Sequence, residues 1–194
     1  MSLNLRKLQH VAGHSLKNGV RLHFDSIILF KNKSYSTAFF ISVLAMEEIG
    51  KAYWADHFVF YSKDVRGDKD LESEWINTLL RDHKQKQLFF LRQMAKVDDK
   101  FYQFVKSRQL DILKQNSIYV GLQKPRAGQP RTSGNIIKPK DFKLDKVKRQ
   151  INLIHDFLTD EINGIQKEQI QHSLSVFNDI LDERLLIKLN KRIK

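Results

Sequence analysis

The distribution of proline is the feature that most constrains how this chain can fold. All three prolines of the 194 residues lie within a window of 15 positions: Pro125, Pro130 and Pro139. Glycines at positions 121, 128 and 134 lie in or beside the same window, and the 124 residues before it contain no proline. Because proline interrupts helices and fixes turns, this pattern predicts long helices on the N-terminal side and one long loop at about residues 121–140.

Apolar residues recur every three or four positions on both sides of this loop, which is the spacing of a helix with one buried face. The stripes predict helices over about 5–28, 38–55, 76–94 and 144–162 and from 170 onward. We expect the first helix to end at Lys31–Ser34 and a polar turn to occupy Asp64–Asp70. The third helix either ends near Met94 or continues towards Leu110, and Ser117–Val120 is a short strand candidate. The sequence therefore predicts one all-α domain over residues 1–194, a bundle of four to five helices with a helical C-terminal part at about 141–192.

Composition excludes several classes of protein. No cysteine is present, which removes disulfide scaffolds, thiolate zinc sites and cysteine nucleophiles. The longest strongly apolar run, Ala38–Met46, has nine residues, whereas a membrane-spanning helix needs roughly twenty. Charge begins at Arg6, before any apolar stretch, so we see no signal peptide. We expect a soluble cytoplasmic protein that has no contact with a membrane.

The net charge of +12 is concentrated in two segments. Lys124–Arg149, here called the basic segment, has a net charge of +7, and Lys188–Lys194 adds +4. Cations at this density in a loop suit a phosphate backbone, since each neutralised phosphate releases a counterion. A solvated loop that only keeps the protein soluble is the alternative. The candidate nucleic-acid-binding residues are Lys124, Arg126, Arg131, Lys138, Lys140, Lys143, Lys146 and Lys148.

Two ionisable residues occupy apolar stripes of the predicted helices. Glu48 follows Leu44 by four positions and precedes Ala52 by four, so the helical period places it on the apolar face. His83 follows Leu79 by four positions and lies in a second such stripe. A carboxylate buried alone is so costly that it neutralises or finds a partner. We therefore predict that Glu48 and His83 face inward on neighbouring helices and satisfy one another.

Lys51 and Lys86 would add positive charge to this pair. Together the four side chains provide a base for a ribose 2′-hydroxyl, an acid for the leaving 5′-oxygen and a cation for the phosphorane. These are the roles that metal-free RNA cleavage requires. The structural alternative is a surface pair between Glu47 and Lys51, together with a core histidine bonded to a carboxylate without catalysis.

Three motifs give the chain a family resemblance. Ser34–Ala38 followed by Ala45-Met46-Glu47-Glu48-Ile49-Gly50-Lys51-Ala52 resembles the hallmark of the AbiV family of abortive infection proteins. Arg81–Lys86 resembles its second motif, a His-Lys pair, and Ile118-Tyr119-Val120 with the following glycine-rich loop and Pro139 resembles its third. At position 121 the chain has glycine where we expect an acidic residue. The resemblance covers about residues 5–145.

The AbiV family belongs to the HEPN superfamily, so the resemblance implies a HEPN-like helical bundle and a homodimer. It also implies an anti-phage effector that shuts down translation or degrades RNA. Many HEPN proteins are metal-independent ribonucleases with an Arg-x(4–6)-His motif, and Arg149 and His155 match that spacing here. Residues six apart lie about 120° from each other on a straight helix, so this pair acts together only through a kink or across a dimer.

Two functional hypotheses follow, with the candidate catalytic residues Glu48, Lys51, His83, Lys86, Arg149 and His155. The first is a homodimeric ribonuclease toxin, switched on by a phage-encoded protein, that requires no metal and no cofactor. The second is a non-catalytic inhibitor that binds RNA or the ribosome through the basic segment. A third hypothesis, a nucleotide-binding regulatory subunit, has less support than the other two because the sequence has no glycine-rich phosphate loop.

Overall fold

The computed structural model describes residues 5–61, 69–94, 96–122, 132, 134–139 and 142–166. Seven helices and one two-stranded sheet are found in this part of the chain. The helices are α1 Leu5–Lys31, α2 Tyr35–Tyr61, α3 Lys69–Arg81, α4 His83–Gln93, α5 Asp99–Lys106, α6 Gln109–Asn116 and α7 Leu144–Gln166. The strands are β1 Gly121–Leu122 and β2 Ile136–Ile137. The predicted all-α fold class is confirmed.

Helix α2 forms the centre of the bundle, with α1, α4 and α7 packed around it. The main core is formed mostly by buried side chains from these four helices, among them Leu16, Met46, Phe90 and Ile154, and Val105 of α5 and Leu110 of α6 complete it. A second, smaller core around Phe58 joins α1, α2 and α3. Because α2 has neighbours on several sides, it is apolar around most of its circumference rather than along one stripe.

The first and last described helices agree with the sequence analysis. Helix α1 ends at Lys31, as predicted, and Lys33 turns the chain with a φ of 62°. Helix α7 covers the predicted 144–162 segment and continues to Gln166. The proposed helix from residue 170 and the basic tail lie outside the described residues, as does most of the Asp64–Asp70 turn.

The prediction of one continuous third helix is wrong. Helix α3 ends at Arg81, and Asp82 caps the start of α4 by accepting a hydrogen bond from the Gln85 amide at 3.1 Å. An N-cap residue has a non-helical backbone, so the chain changes direction at Asp82. Two further short helices, α5 and α6, follow α4. This subdivision explains why more helices are present than the four to five that we predicted.

The predicted strand is displaced. Residues 117–120 form a turn after α6, and the strand pairing begins at Gly121, which lies opposite Ile137 in an antiparallel register. None of the described helices combines the length and the apolar character that crossing a membrane would require.

Candidate active site

Glu47, on α2, lies at the centre of a buried polar cluster and is only 3% exposed. Its Oε1 accepts hydrogen bonds from Lys114 Nζ at 2.6 Å and from Gln87 Nε2 at 2.7 Å. Its Oε2 lies 2.8 Å from Nδ1 of His83. Gln87 also donates to Asp111 Oδ1 at 2.8 Å. We call these five residues the Glu47 cluster; they join α2, α4 and α6.

The hydrogen-bond partners of Glu47 stabilise the ionised form of its side chain. Burial by itself raises the pKa of this carboxyl, but hydrogen bonds from His83 and Lys114 and the positive charge of Lys114 outweigh burial and leave the pKa below its ordinary value. Glu47 is therefore a carboxylate at neutral pH. It accepts the Nδ1 proton of His83, which leaves Nε2 as the nitrogen that can take another proton.

His83 is the member of the Glu47 cluster that faces solvent. It is the first residue of α4, and 53% of its side chain is exposed, against 4% for Glu47. Our prediction that His83 lies inside an apolar stripe is wrong, because the break at Asp82 rotates α4 relative to α3. The result is an imidazole that is anchored from within the bundle and open to a ligand from outside.

An open groove with a volume of about 660 Å³ passes beside His83, here called the His83 groove. Its lining includes Arg81 at the end of α3 and Arg108 before α6, and three carboxylates, those of Glu74, Asp82 and Asp111. Arg81 and Arg108 are both exposed, and Arg108 has a φ of 62°, a left-handed conformation that few residues other than glycine adopt. Two guanidinium groups beside a histidine provide donors for a phosphate.

Glu48 has a different partner from the one predicted. It accepts hydrogen bonds from Lys51 Nζ at 2.6 Å and from Asn18 Nδ2 at 3.1 Å. The predicted pair between Glu48 and His83 is therefore wrong, and the surface pair expected for Glu47 and Lys51 belongs to Glu48. A helical period cannot distinguish Glu47 from Glu48 on α2, because this helix is packed on several sides.

Lys86, on α4, is buried, and its Nζ donates to the Leu80 carbonyl oxygen at 3.4 Å. Burial lowers the pKa of the Lys86 amine, while the nearby carboxylate of Glu47 works against that decrease. The charges of Glu48 and Lys51 also act on Lys86. The four residues predicted as one site thus share one region, but Glu47 binds the histidine.

Gly50 explains the close packing of this region. A Cβ atom added at Gly50 would lie 2.0 Å from the Lys86 carbonyl oxygen, a distance that no side chain tolerates. Helices α2 and α4 therefore approach each other at the glycine of the Glu-Glu-x-Gly-Lys motif. This approach brings Glu47 within reach of Gln87 and His83.

Arg149 and His155 lie on the same continuous helix but do not meet. Arg149 is exposed and pairs with Asp98 at 3.0 Å, whereas His155 is 3% exposed and its Nδ1 lies 3.3 Å from Nε2 of His23. Helix α7 continues through both positions, so the kink that would join them is absent from the described helix. Within one chain the two residues do not form a site.

The described part of the basic segment presents its lysines near the start of α7. Lys138, Lys143 and Lys146 are exposed, and Lys148 is half-buried. The other four candidates, Lys124, Arg126, Arg131 and Lys140, lie outside the described residues. Sequence reasoning missed six site residues: Glu47, Arg81, Gln87, Arg108, Asp111 and Lys114. The Asp82-x-x-Gln85 spacing, an N-cap signal, was the feature that could have placed His83 at a helix start.

The described residues form an all-α bundle with a charged cluster between α2, α4 and α6, which agrees with the HEPN-like bundle predicted from the sequence. The comparison with known families agrees: a family model for HEPN domains, described as AbiV, matches residues 7–159. Because this match covers most of the chain, the protein belongs to the AbiV family, which indicates a role in abortive infection. No curated protein and no solved structure matches the chain.

Proposed function

We propose that the protein is an abortive infection effector that cleaves RNA at the His83 groove. The observation that carries this proposal is the solvent-facing imidazole of His83, held 2.8 Å from the buried carboxylate of Glu47. A histidine that is oriented by a carboxylate and open on its other nitrogen is suited to move a proton at a bound substrate. Its position beside Arg81 and Arg108 supports a phosphate as that substrate.

The proposed reaction is an internal phosphoryl transfer. Nε2 of His83 accepts the proton of a ribose 2′-hydroxyl, whose oxygen forms a bond to the adjacent phosphorus. The bond from phosphorus to the 5′-oxygen breaks, and the protonated imidazole supplies the proton that this leaving oxygen takes. Arg81 and Arg108 would stabilise the phosphorane charge, and Glu47 would stabilise the imidazolium. The products are a cyclic phosphate and a free 5′-hydroxyl.

This reaction needs no metal ion, which is a separate part of the proposal. Cleavage by the purified protein should continue when a chelator is added. If chelation abolishes cleavage, the metal-independent mechanism is wrong.

The main test compares His83→Ala with His14→Ala in a translation extract. Extract from phage-infected cells supplies the phage-encoded activator that we propose, and RNA ends are sequenced after the protein is added. His14 is an exposed histidine on α1, so the two variants remove the same group from two surfaces. New RNA ends should disappear with His83→Ala and persist with His14→Ala. Ends that persist with His83→Ala and disappear with Arg149→Ala would instead favour the pair of Arg149 and His155 acting across a homodimer.

The exposed lysines at the start of α7 favour a second candidate function. Lys138, Lys143 and Lys146 could hold RNA or the ribosome and block translation by occupancy. In that case translation would stop while the RNA remained intact, and His83→Ala would not relieve the inhibition. Both candidates act on the translation machinery in the cytoplasm, and we propose that both operate as a homodimer.

A further inference from the structure

A second concave site lies between α5, α6 and α7, and we call it the Phe101 cavity. It has a volume of about 380 Å³, in the range of small-molecule sites. Its wall includes Phe101 and Phe104 from α5, Leu110 and Leu113 from α6, and Leu153 from α7, with Phe39 of α2 also contributing. None of the described residues lines both this cavity and the His83 groove.

Cations surround the mouth of the Phe101 cavity. Lys96, Lys100, Lys146 and Arg149 all line it and are exposed. Asp98 is the acidic residue among the lining side chains, and it pairs with Arg149 at 3.0 Å. The Arg149 guanidinium carbon also lies 5.9 Å from the centre of the Phe101 ring. The cavity thus combines an apolar wall with a mouth of net positive charge.

The wall offers little to a ligand that needs hydrogen bonds. Gln150 contributes the amide among the lining residues, and it is buried with its Nε2 3.6 Å from Met46 Sδ. A nucleobase carries several donors and acceptors on its edge, and each one left unpaired in such a wall loses the hydrogen bond that it makes with water. An alkyl chain has no donors or acceptors, so it loses no hydrogen bond when Phe101 and Leu153 enclose it, and its burial is favourable.

We propose that the Phe101 cavity binds an amphipathic anion, a molecule with an unbranched alkyl body and one carboxylate head. The alkyl body lies against the phenylalanine and leucine side chains of α5, α6 and α7. The carboxylate lies at the mouth, where Lys146 and Arg149 donate to it. This site is distinct from the His83 groove and does not depend on ribonuclease activity, although Lys146 is also one of the lysines of the second candidate function.

The test is calorimetric titration of the full chain with decanoate, kept below the concentration at which it forms micelles. Decyltrimethylammonium has the same alkyl body with the opposite charge, and adenosine monophosphate is the nucleobase-bearing anion. Leu153→Trp fills the cavity from a half-buried position, and Lys146→Glu reverses a charge at its mouth. Lys17→Glu makes the same charge change at an exposed position of α1 and is the matched control.

Decanoate should bind with one molecule per chain, and decyltrimethylammonium should not bind. Lys146→Glu should weaken decanoate binding about tenfold or more, as expected when a charged hydrogen-bond donor is lost, while Lys17→Glu should leave it unchanged. Leu153→Trp, with an unchanged melting temperature, should abolish binding. Three results would overturn the proposal: no decanoate binding, equal binding of the cationic amphiphile, or binding that Lys146→Glu leaves unchanged. Tighter binding of adenosine monophosphate than of decanoate, lost with Lys146→Glu, would assign the cavity to a nucleotide instead.

Discussion

At the scale of single residues, the adjacent Glu47 and Glu48 differ in burial and in the partners that they bind. Glu47 is buried against Lys114, which is itself 6% exposed, whereas Glu48 and its partner Lys51 are both about one-fifth exposed. Breaking a buried ion pair costs roughly 3–5 kcal/mol because the remaining charge is left without a partner. A pair near the surface contributes at most about 1 kcal/mol.

We therefore predict that Glu47→Gln lowers the free energy of unfolding by up to roughly 3 kcal/mol, since Lys114 loses its closer counter-charge and keeps the Asp111 carboxylate, 3.7 Å away. Glu48→Gln should lower it by less than about 1 kcal/mol. Urea unfolding of both variants and of the parent protein measures the difference. Equal losses from the two substitutions would contradict the assignment of Glu47 as the buried partner.

His23 and His155 form a second buried pair, at the contact between α1 and α7. Burial, together with the smaller effect of the neighbouring His155, lowers the pKa of His23 from 6.5 to about 3. A base whose pKa is lower in the folded state binds fewer protons there than in the unfolded state. Above pH 6.5 His23 is neutral in both states, so its burial does not lower the free energy of unfolding there. As the pH falls from 6.5 towards about 3, the unfolded state takes up a proton that the folded state does not, and the free energy of unfolding decreases.

We therefore predict that the lowered pKa of His23 decreases the free energy of unfolding by about 1.4 kcal/mol for each pH unit below 6.5. Asp56 acts in the opposite direction, because burial raises its pKa from 3.8 to about 6 and protonation then favours the folded state. Comparing the parent protein with His23→Phe cancels the effect of Asp56. Urea unfolding between about pH 6.5 and 4.5 should give a shallower pH dependence for His23→Phe. Identical pH dependence in the two proteins would show that His23 does not resist protonation.

At the scale of elements, the contact between α2 and α4 decides where the site lies. A Cβ atom at Gly50 would meet the backbone of Lys86 at 2.0 Å, and backbone atoms cannot move aside without separating the helices. At Gly121, in β1, nothing lies within 4 Å of such an atom. The two glycines therefore provide one crowded position, in a helix, and one open position, in a strand, for the same substitution.

Alanine normally stabilises a helix by about 1 kcal/mol relative to glycine. We predict the opposite sign for Gly50→Ala, a loss of about 2 kcal/mol or more, because overpacking exceeds the helix preference. Gly121→Ala should change stability little. Thermal unfolding of both variants measures this difference, and an unchanged or higher melting temperature for Gly50→Ala would mean that α2 and α4 do not approach so closely.

The element scale also shows what the sequence could predict. The periodicity of α1 and α7 located both helices, because each has one apolar face and a continuous stripe. The same reasoning failed for His83, where a capping aspartate breaks the stripe, and for Glu48, where α2 is packed on several sides. Residues whose environment depends on several helices, such as Lys114 beside Glu47, leave no local signal in the sequence.

At the scale of the whole molecule, the position of charge matters more than its total. The chain has a net charge of +12, and any three lysines contribute equally to that total. Steering by net charge alone would make exposed lysines interchangeable, whereas a binding surface makes them specific to their location. The lysines at the start of α7 and those of α1 and the turn after it allow the two cases to be separated.

We predict that replacing Lys138, Lys143 and Lys146, the exposed lysines before and at the start of α7, together with glutamine weakens binding of single-stranded RNA. The slope of log K against log salt should decrease in magnitude by about 2, since each lost phosphate contact contributes about 0.7. The matched control replaces Lys17, Lys31 and Lys33, which are exposed and remove the same total charge. Fluorescence anisotropy with a labelled oligonucleotide, at several salt concentrations, gives both slopes. If the two triple variants lose the same affinity and the same slope, RNA responds to the overall charge and the start of α7 is not its binding surface.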